Sequence, residues 1–221
     1  MANGWRMHRI IVFLGPSLDV ETAQEILPAE YRPPAKRGDL LRAAEDGADI
    51  IGLIDGVFHQ ESAVAHREIL AAIRKGVRVV GSSSMGALRA AEMDSLGMVG
   101  IGDVYRMYKS GVLESDDEVA LVFDPVSGYS LSEPLVNIRY TLRKARDAHV
   151  ISGEEHDALL AAARSVFYPQ RTYARITEET GETVGTGTKE RFLAWAGTNA
   201  CDRKRQDAVE ALEYIAGLDL D

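Results

Sequence analysis

The sequence holds a single cysteine, Cys201. That excludes an internal disulfide and any cysteine-based zinc cluster, and it fits a reducing compartment. Long apolar runs are also missing. None approaches the roughly 18 residues that a membrane span needs, and the opening MANGWRMHRI has no apolar stretch of signal-peptide length. The expectation is a cytoplasmic protein with no membrane contact. Basic residues are in deficit, with Lys+Arg 25 against Asp+Glu 34 and a formal charge of −9. Affinity for phosphate backbones comes from clustered Lys and Arg, so no nucleic-acid partner is expected beyond what a local basic groove could hold. His8, His59, His66, His149 and His156 show neither HExxH nor paired spacing, and no metal or other cofactor is expected. What remains is a chain of 221 residues, 46% hydrophobic and 27% charged, long enough to build a full core.

The first half alternates short apolar runs with helical stretches. Residues 10–14 (IIVFL), 50–54 (IIGLI) and 77–80 (VRVV) are β-branched, nearly continuous and followed by glycine-containing loops, as in strands buried on both faces of a parallel sheet. Residues 61–75 read as a helix capped by Gly76, and 119–123 as a further strand broken by Asp124-Pro125 and Gly128. The fold class is therefore α/β, a three-layer parallel sheet of flavodoxin or Rossmann type over residues 1–130. A helical carboxyl-terminal lobe over 131–221 follows. It contains helices at 134–148, after the capping-box pattern Ser152-Gly153-Glu154-Glu155, at 189–196 and at 203–216. The stretch 180–188 (TGETVGTGT) reads as a flexible linker.

In open parallel sheets, ligands bind outside the carboxyl ends of the strands. Three such loops carry chemistry: Gly15-Pro16-Ser17, Asp55-Gly56-Val57-Phe58 and Gly81-Ser82-Ser83-Ser84-Met85-Gly86. The last runs from a strand into a helix with Ser84 two residues before Gly86, close to a nucleophile elbow, which lifts a serine above the sheet at a helix amino terminus. The alternative is that the three serines cap the helix or bind an anion there without catalysis. His66 is the candidate base, in the middle of the apolar face when Leu70, Ile73 and Ile69 are projected on a helix. A core histidine is the competing reading, and His59 is a competing base. Gly56 allows close backbone approach and could donate an N–H to an oxyanion. Arg89 and Glu92 read as a semi-buried ion pair. Of two basic clusters, the one around Lys36 and Arg37 could clamp a carboxylate, or simply be solvated. Arg203-Lys204-Arg205 opens the last helix where like charge opposes the dipole, which favours a binding or ion-pair role. The 81–86 loop lacks the Lys-Ser/Thr of a P-loop, and no GxGxxG follows a strand, so a nucleotide site is not indicated.

The blocks FLGPSL, ILPAEYRPPAKRGDLL, IIGLIDGVF, HREILAAIRKGVRVVGSSSMGALRAAEM and DDEVAL, with FYPQRTYARI and DRKRQDA further on, resemble the TfuA-like proteins. The resemblance covers most of the chain. It implies a partner of an ATP-dependent YcaO-type enzyme in backbone thioamidation. It also implies hydrolysis of the carboxyl-terminal thiocarboxylate of a ubiquitin-like sulfur-carrier protein, or a non-catalytic adaptor that recruits that carrier. Ser84, Met85, Gly86, Asp55, Gly56, His66 and Gly15-Pro16-Ser17 fall at its motif positions. The resulting expectation makes Ser84 the nucleophile and His66 its base, with Asp55 or Glu92 orienting the histidine. Gly56 and Met85 donate to the oxyanion, Ser83, Gly86 and Ser17 line the site, and Lys36 or Arg37 engages the anionic tail. Cys201 lies outside the motifs and reads as a buried or incidental thiol.

Overall fold

The computed structural model describes residues 8–58, 62–124 and 129–218. Five short strands, β1 (Ile10–Phe13), β2 (Glu30–Arg32), β3 (Ile50–Leu53), β4 (Arg78–Gly81) and β5 (Val99–Gly100), pair in parallel in the order β2-β1-β3-β4-β5. The order reverses between β1 and β3, the place at which open parallel sheets take ligands. Helices α1 (Val20–Ile26), α2 (Asp39–Glu45), α3 (His66–Arg74), α4 (Met85–Met93) and α5 (Asp103–Lys109) connect them or follow. Further on come α6 (Leu135–Asp147), α7 (Gly153–Ser165), α8 (Tyr173–Glu179), α9 (Thr186–Asn199) and α10 (Arg203–Ala216).

The chain divides into two compact units, residues 8–114 with 204–218, and residues 115–203. In the first unit the strands bury both faces. Ile11, Phe13, Ile51, Leu53 and Val79 point to a layer that includes Leu40, Ala43, Ile69, Ala72 and Ala90 of α2, α3 and α4. Val12, Ile50, Ile54 and Val80 point the other way, to Ala23 of α1 and to Ala208, Ala211, Leu212 and Ile215 of α10. The alternation follows from the two-residue period of a strand. The expected three layers are thus present, and α10 belongs to one of them. Gly52 makes room for it, since a Cβ there would lie 3.3 Å from the Ile215 side chain.

Two glycines set the spacing of the β4–α4 turn. A Cβ on Gly86 would lie 1.7 Å from the Leu53 carbonyl oxygen, and one on Gly81 would lie 2.3 Å from the Gly86 carbonyl oxygen. The helix amino terminus therefore rests on the backbone of the sheet, where no side chain fits.

The unit 115–203 is built on α6, α7, α8 and α9 around Ile138, Leu142, Leu159, Ile176 and Phe192. Ser152 and Glu155 form the expected reciprocal cap of α7. Two expectations are corrected. Residues 119–123 are not a ladder strand: Phe123 makes only an isolated antiparallel bridge to Ser130, and the Val122 N–H donates to Ser132 Oγ at 2.9 Å. Val119 and Ala120 are buried although, among the described residues, they belong to no strand of the sheet. The stretch 180–188 is an ordered turn that runs into α9, held by Thr180 Oγ1 donating to the Thr177 carbonyl at 2.7 Å, Thr188 Oγ1 donating to Glu155 at 2.7 Å, and buried Val184. Threonine hydroxyls supply the bonds that composition alone reads as slack.

Glu133 is half-buried, and burial together with the charge of Asp202 raises its carboxyl above the usual range. A raised folded value means the ionised form opposes folding, and that penalty vanishes on acidification. Glu133→Gln should therefore raise the melting temperature at pH 7 and leave it unchanged near ~pH 3, below the ordinary carboxylate range, measured by circular dichroism. Gly86→Ala should destabilise the fold by about 3 kcal/mol or more, because backbone lies where the methyl must go, read as a lower urea midpoint.

Candidate functional site

The carboxyl ends of β1, β3 and β4 bring together three loops. After β3, Asp55 is buried, and its carboxylate gathers the loop after β1: Oδ2 accepts from the Gly15 N–H at 2.9 Å and the Ser17 N–H at 3.1 Å, and Oδ1 accepts from Ser17 Oγ at 2.7 Å. Ser17 Oγ in turn accepts from Ser83 Oγ at 2.9 Å. The result is a directed chain of hydroxyls, Ser83 to Ser17 to Asp55, spanning all three loops. Every member is buried, so the chain lies in a medium where such bonds strengthen one another.

The serine turn is strained at one position. Ser83 has φ +64°, one of two non-glycine residues with positive φ among the described residues. Ser84 precedes the first helical residue at φ −115° and ψ −121°. A sharp strand-to-helix turn with the serine in a costly backbone conformation is the hallmark of an elbow, and here that conformation falls on Ser83, two residues after Gly81. Ser82 Oγ donates instead to the Asp207 carbonyl of α10 at 2.9 Å.

Two backbone N–H groups lie close together at the same place. Gly56 and Met85 are packed together, a Cβ on Gly56 falling 2.8 Å from Met85 Cγ. Among the described residues neither backbone N–H has a backbone acceptor. Gly56 pairs with Ala35 through the flanking groups, the Ala35 N–H donating to Asp55 O at 2.9 Å and the Val57 N–H to Ala35 O at 3.0 Å. Lys36 and Arg37 follow directly and are exposed, the Lys36 N–H bonding Asp39 and the Arg37 N–H bonding Ser62 O. Both basic side chains therefore stand on the loop next to Gly56.

His66 lies elsewhere. It opens α3, its side chain is 53% exposed, and Nε2 meets Glu92 Oε2 at 2.7 Å. Arg89 bonds the same oxygen at 2.6 Å and donates to the Val64 carbonyl at 2.9 Å. The Arg89–Glu92 pair is as expected, and Glu92 is the acid beside His66. Among the described residues His66 makes no hydrogen bond to a serine, and Asp55 serves Ser17 rather than the imidazole. Glu68 is buried and receives the N–H groups of Ala65, Gly38 and Leu40 at 2.7, 2.9 and 3.3 Å. His59 lies outside the described residues. Cys201 is half-buried in the helical unit, where its N–H donates to Thr141 Oγ1 at 2.9 Å.

One residue of the site was not singled out as such. Lys204, in the first turn of α10, is 2% exposed, and Nζ lies 4.0 Å from Asp55 Oδ1. The signal available in sequence was the basic run at a helix amino terminus, where a cation needs a partner to offset the dipole. Arg205 of the same run meets Asp19 at 3.9 Å.

These features define an α/β protein whose open parallel sheet carries a serine turn after β4, one strand from its reversal point. The TfuA-like protein family model matches residues 55–172, more than half the chain, and the protein belongs to that family. No curated protein matches the sequence. The matched stretch contains Asp55, Gly56, His66 and the serine turn, whereas Ser17 and Lys204 lie on either side of it. Among the described residues no helix is long and apolar enough to cross a membrane.

Removing Asp55 takes the acceptor from the Gly15 and Ser17 N–H groups and the Ser17 hydroxyl, and one charge from beside buried Lys204. Asp55→Ala should cost about 3–5 kcal/mol in urea unfolding, several times the loss from His66→Ala, which breaks only an exposed pair.

Proposed function

We propose that this protein hydrolyses the carboxyl-terminal thiocarboxylate of a ubiquitin-like sulfur-carrier protein, releasing hydrosulfide for a YcaO-type ATP-dependent enzyme that thioamidates a peptide backbone. Membership of the TfuA-like family supports the link to thioamidation. The observation that carries the hydrolytic reading is the buried hydroxyl chain from Ser83 through Ser17 to Asp55. An acyl hydrolase needs a serine whose proton has somewhere to go, and Ser83 donates into a relay that ends on a carboxylate, whereas Ser82 donates to a backbone carbonyl.

In this reading Ser83 takes the nucleophilic role first given to Ser84. Ser83 Oγ bonds to the thiocarboxylate carbon while its proton passes to Ser17 and the Ser17 proton to Asp55. The C–S bond then breaks, the sulfur takes both electrons, and the proton returns through the relay so that hydrosulfide departs. Water cleaves the acyl-serine ester, giving a carboxylate, restoring the Ser83 hydroxyl and releasing one proton to solvent. The Gly56 and Met85 N–H groups are the candidate oxyanion donors. Lys36 and Arg37 would receive the carrier's anionic tail, and that attraction weakens with salt. Ser84 and Gly86 shape the helix end on which the site rests.

The burial of Ser82, Ser83 and Ser84, all at 0–1% exposure, favours a second reading, an adaptor that binds the carrier without touching its acyl bond. One experiment separates them. Thiocarboxylated carrier is incubated with the isolated protein, and its mass and the released sulfide are followed. Hydrolysis predicts loss of sulfur with wild type, a fall of at least about 10³-fold for Ser83→Ala and about 10²-fold or more for Ser17→Ala. Ser84→Ala and His66→Ala should stay within about tenfold, since neither side chain joins the relay. Small thioacids should turn over poorly, because carrier binding must supply the energy that exposes the turn. An intact carrier after prolonged incubation, released only when the YcaO-type enzyme is added, would establish the adaptor.

A further inference from the structure

The outer face of α3 differs from that of the other helices in the sheet unit. Its core side is Glu68, Ile69 and Ala72, so the helical period turns Arg67 and Arg74 out to solvent, two turns and about 10 Å apart on one line. Both are exposed, with half-buried Leu70 and Ala71 between them. The helix's one carboxylate, Glu68, is buried on the opposite side. By contrast α1 carries Glu21 toward solvent, α2 Glu45, α4 Glu92, α5 Asp103 and α10 Glu210.

The acids that flank α3 are already matched. Glu45 of α2 meets Lys75 at 3.6 Å, Asp39 meets Arg42 at 3.5 Å, and Glu92 of α4 is shared by His66 at 2.7 Å and Arg89 at 2.6 Å. Among the described residues the Arg67 and Arg74 side chains have no hydrogen bond or ion pair. Two unmatched cations and no exposed acid thus share one face in a chain of net charge −9. That face continues into the loop beside Gly56. Glu68 accepts the Gly38 N–H at 2.9 Å, and the Arg37 N–H donates to the Ser62 carbonyl at 2.7 Å, just ahead of α3. A positive band therefore runs from Lys36 and Arg37 along α3 to Arg74, all within the sheet unit.

We propose that the outer face of α3, centred on Arg67 and Arg74, docks an acidic surface on the folded body of the sulfur carrier while Lys36 and Arg37 receive its tail. This rests on the carrier being the partner named above. Carboxylates of the carrier pair with the two arginines, and an apolar side chain between them covers Leu70 and Ala71. Exposed charge of this kind acts chiefly on encounter and orientation, so association is fast and salt-sensitive. An acidic protein fits better than a nucleic acid: the face offers no aromatic ring on which a base could stack, and the net charge of the chain opposes a polyphosphate.

The test measures binding of fluorescently labelled carrier, in its ordinary carboxylate form, to the full chain by anisotropy. Sulfide release is not part of the readout, so failure of the hydrolytic chemistry and failure of this docking are read separately. Arg67→Glu combined with Arg74→Glu should weaken binding at least about tenfold at low ionic strength and flatten its salt dependence. The neutral pair Arg67→Gln with Arg74→Gln should lose about three- to tenfold, and it keeps the test open if charge reversal disturbs folding, which circular dichroism reports. Arg164→Glu with Arg175→Glu, exposed on the helical unit, changes the net charge equally and should bind within about threefold of wild type. Folded α3 variants that bind the carrier as wild type does overturn the inference alone, as does an equal loss in the Arg164 and Arg175 pair. A DNA duplex bound more tightly than the carrier, and lost on reversal of Arg67 and Arg74, assigns the face to nucleic acid and overturns it as well. Wild type that fails to bind the carrier overturns the proposed partner and this inference with it.

Discussion

The carboxylate of Asp55 is the point on which the site hangs. Each of its oxygens is shared between chain segments far apart in sequence, 38 to 40 residues for the Gly15–Ser17 loop and farther still for Lys204. A loop without such an anchor would leave two backbone N–H groups and a hydroxyl seeking water in a buried place. Placing one acidic residue after β3, beside the reversal of strand order, answers all of these needs at once. Whatever chemistry the edge of the sheet performs is therefore tied to the same bonds that hold its loops.

Close packing of small residues surrounds that anchor. Gly81 and Gly86 let the α4 terminus settle on the Leu53 carbonyl, Gly52 lets α10 settle on β3, and Gly56 abuts Met85. These contacts bring helix N–H groups and a strained serine within a layer that ordinary side chains would have propped apart. Rigidity follows from the same source, since a close-packed interior resists partial displacement. The serine turn is closed as well as ordered.

Much of the sheet was legible because β-branched runs followed by glycine have few other readings. The strands at 10–14, 50–54 and 77–80, the α7 cap and the loops that meet at Asp55 all follow from pattern and spacing. The phase of α3 was not. Counting Leu70, Ile69 and Ile73 as the buried side centred the helix on His66, whereas Ile69, Ala72 and Glu68 are the buried residues. A small alanine carries little weight in such a projection, and an acid that caps a distant turn looks like a solvent-facing one. Periodicity reports hydrophobicity and is blind to a carboxylate buried for its bonds. The strain on Ser83 rather than Ser84 was hidden for a related reason: three consecutive serines offer no compositional difference, and only backbone angles separate them. Residues 119–123 show the converse error, where apolar character signalled burial and was read as pairing.

The return of α10 to the sheet has a consequence for how the molecule is made. Ser82 and Asp207, which share a hydrogen bond, are 125 positions apart, and residues 115–203 form a separate unit between them. Translation delivers the strands first and the helix that covers their second face much later, so a nascent sheet stands with Val12, Ile54 and Val80 bare while the inserted unit is still being synthesised. Because Lys204 sits on that same helix, its pairing with Asp55 waits on synthesis of the inserted unit.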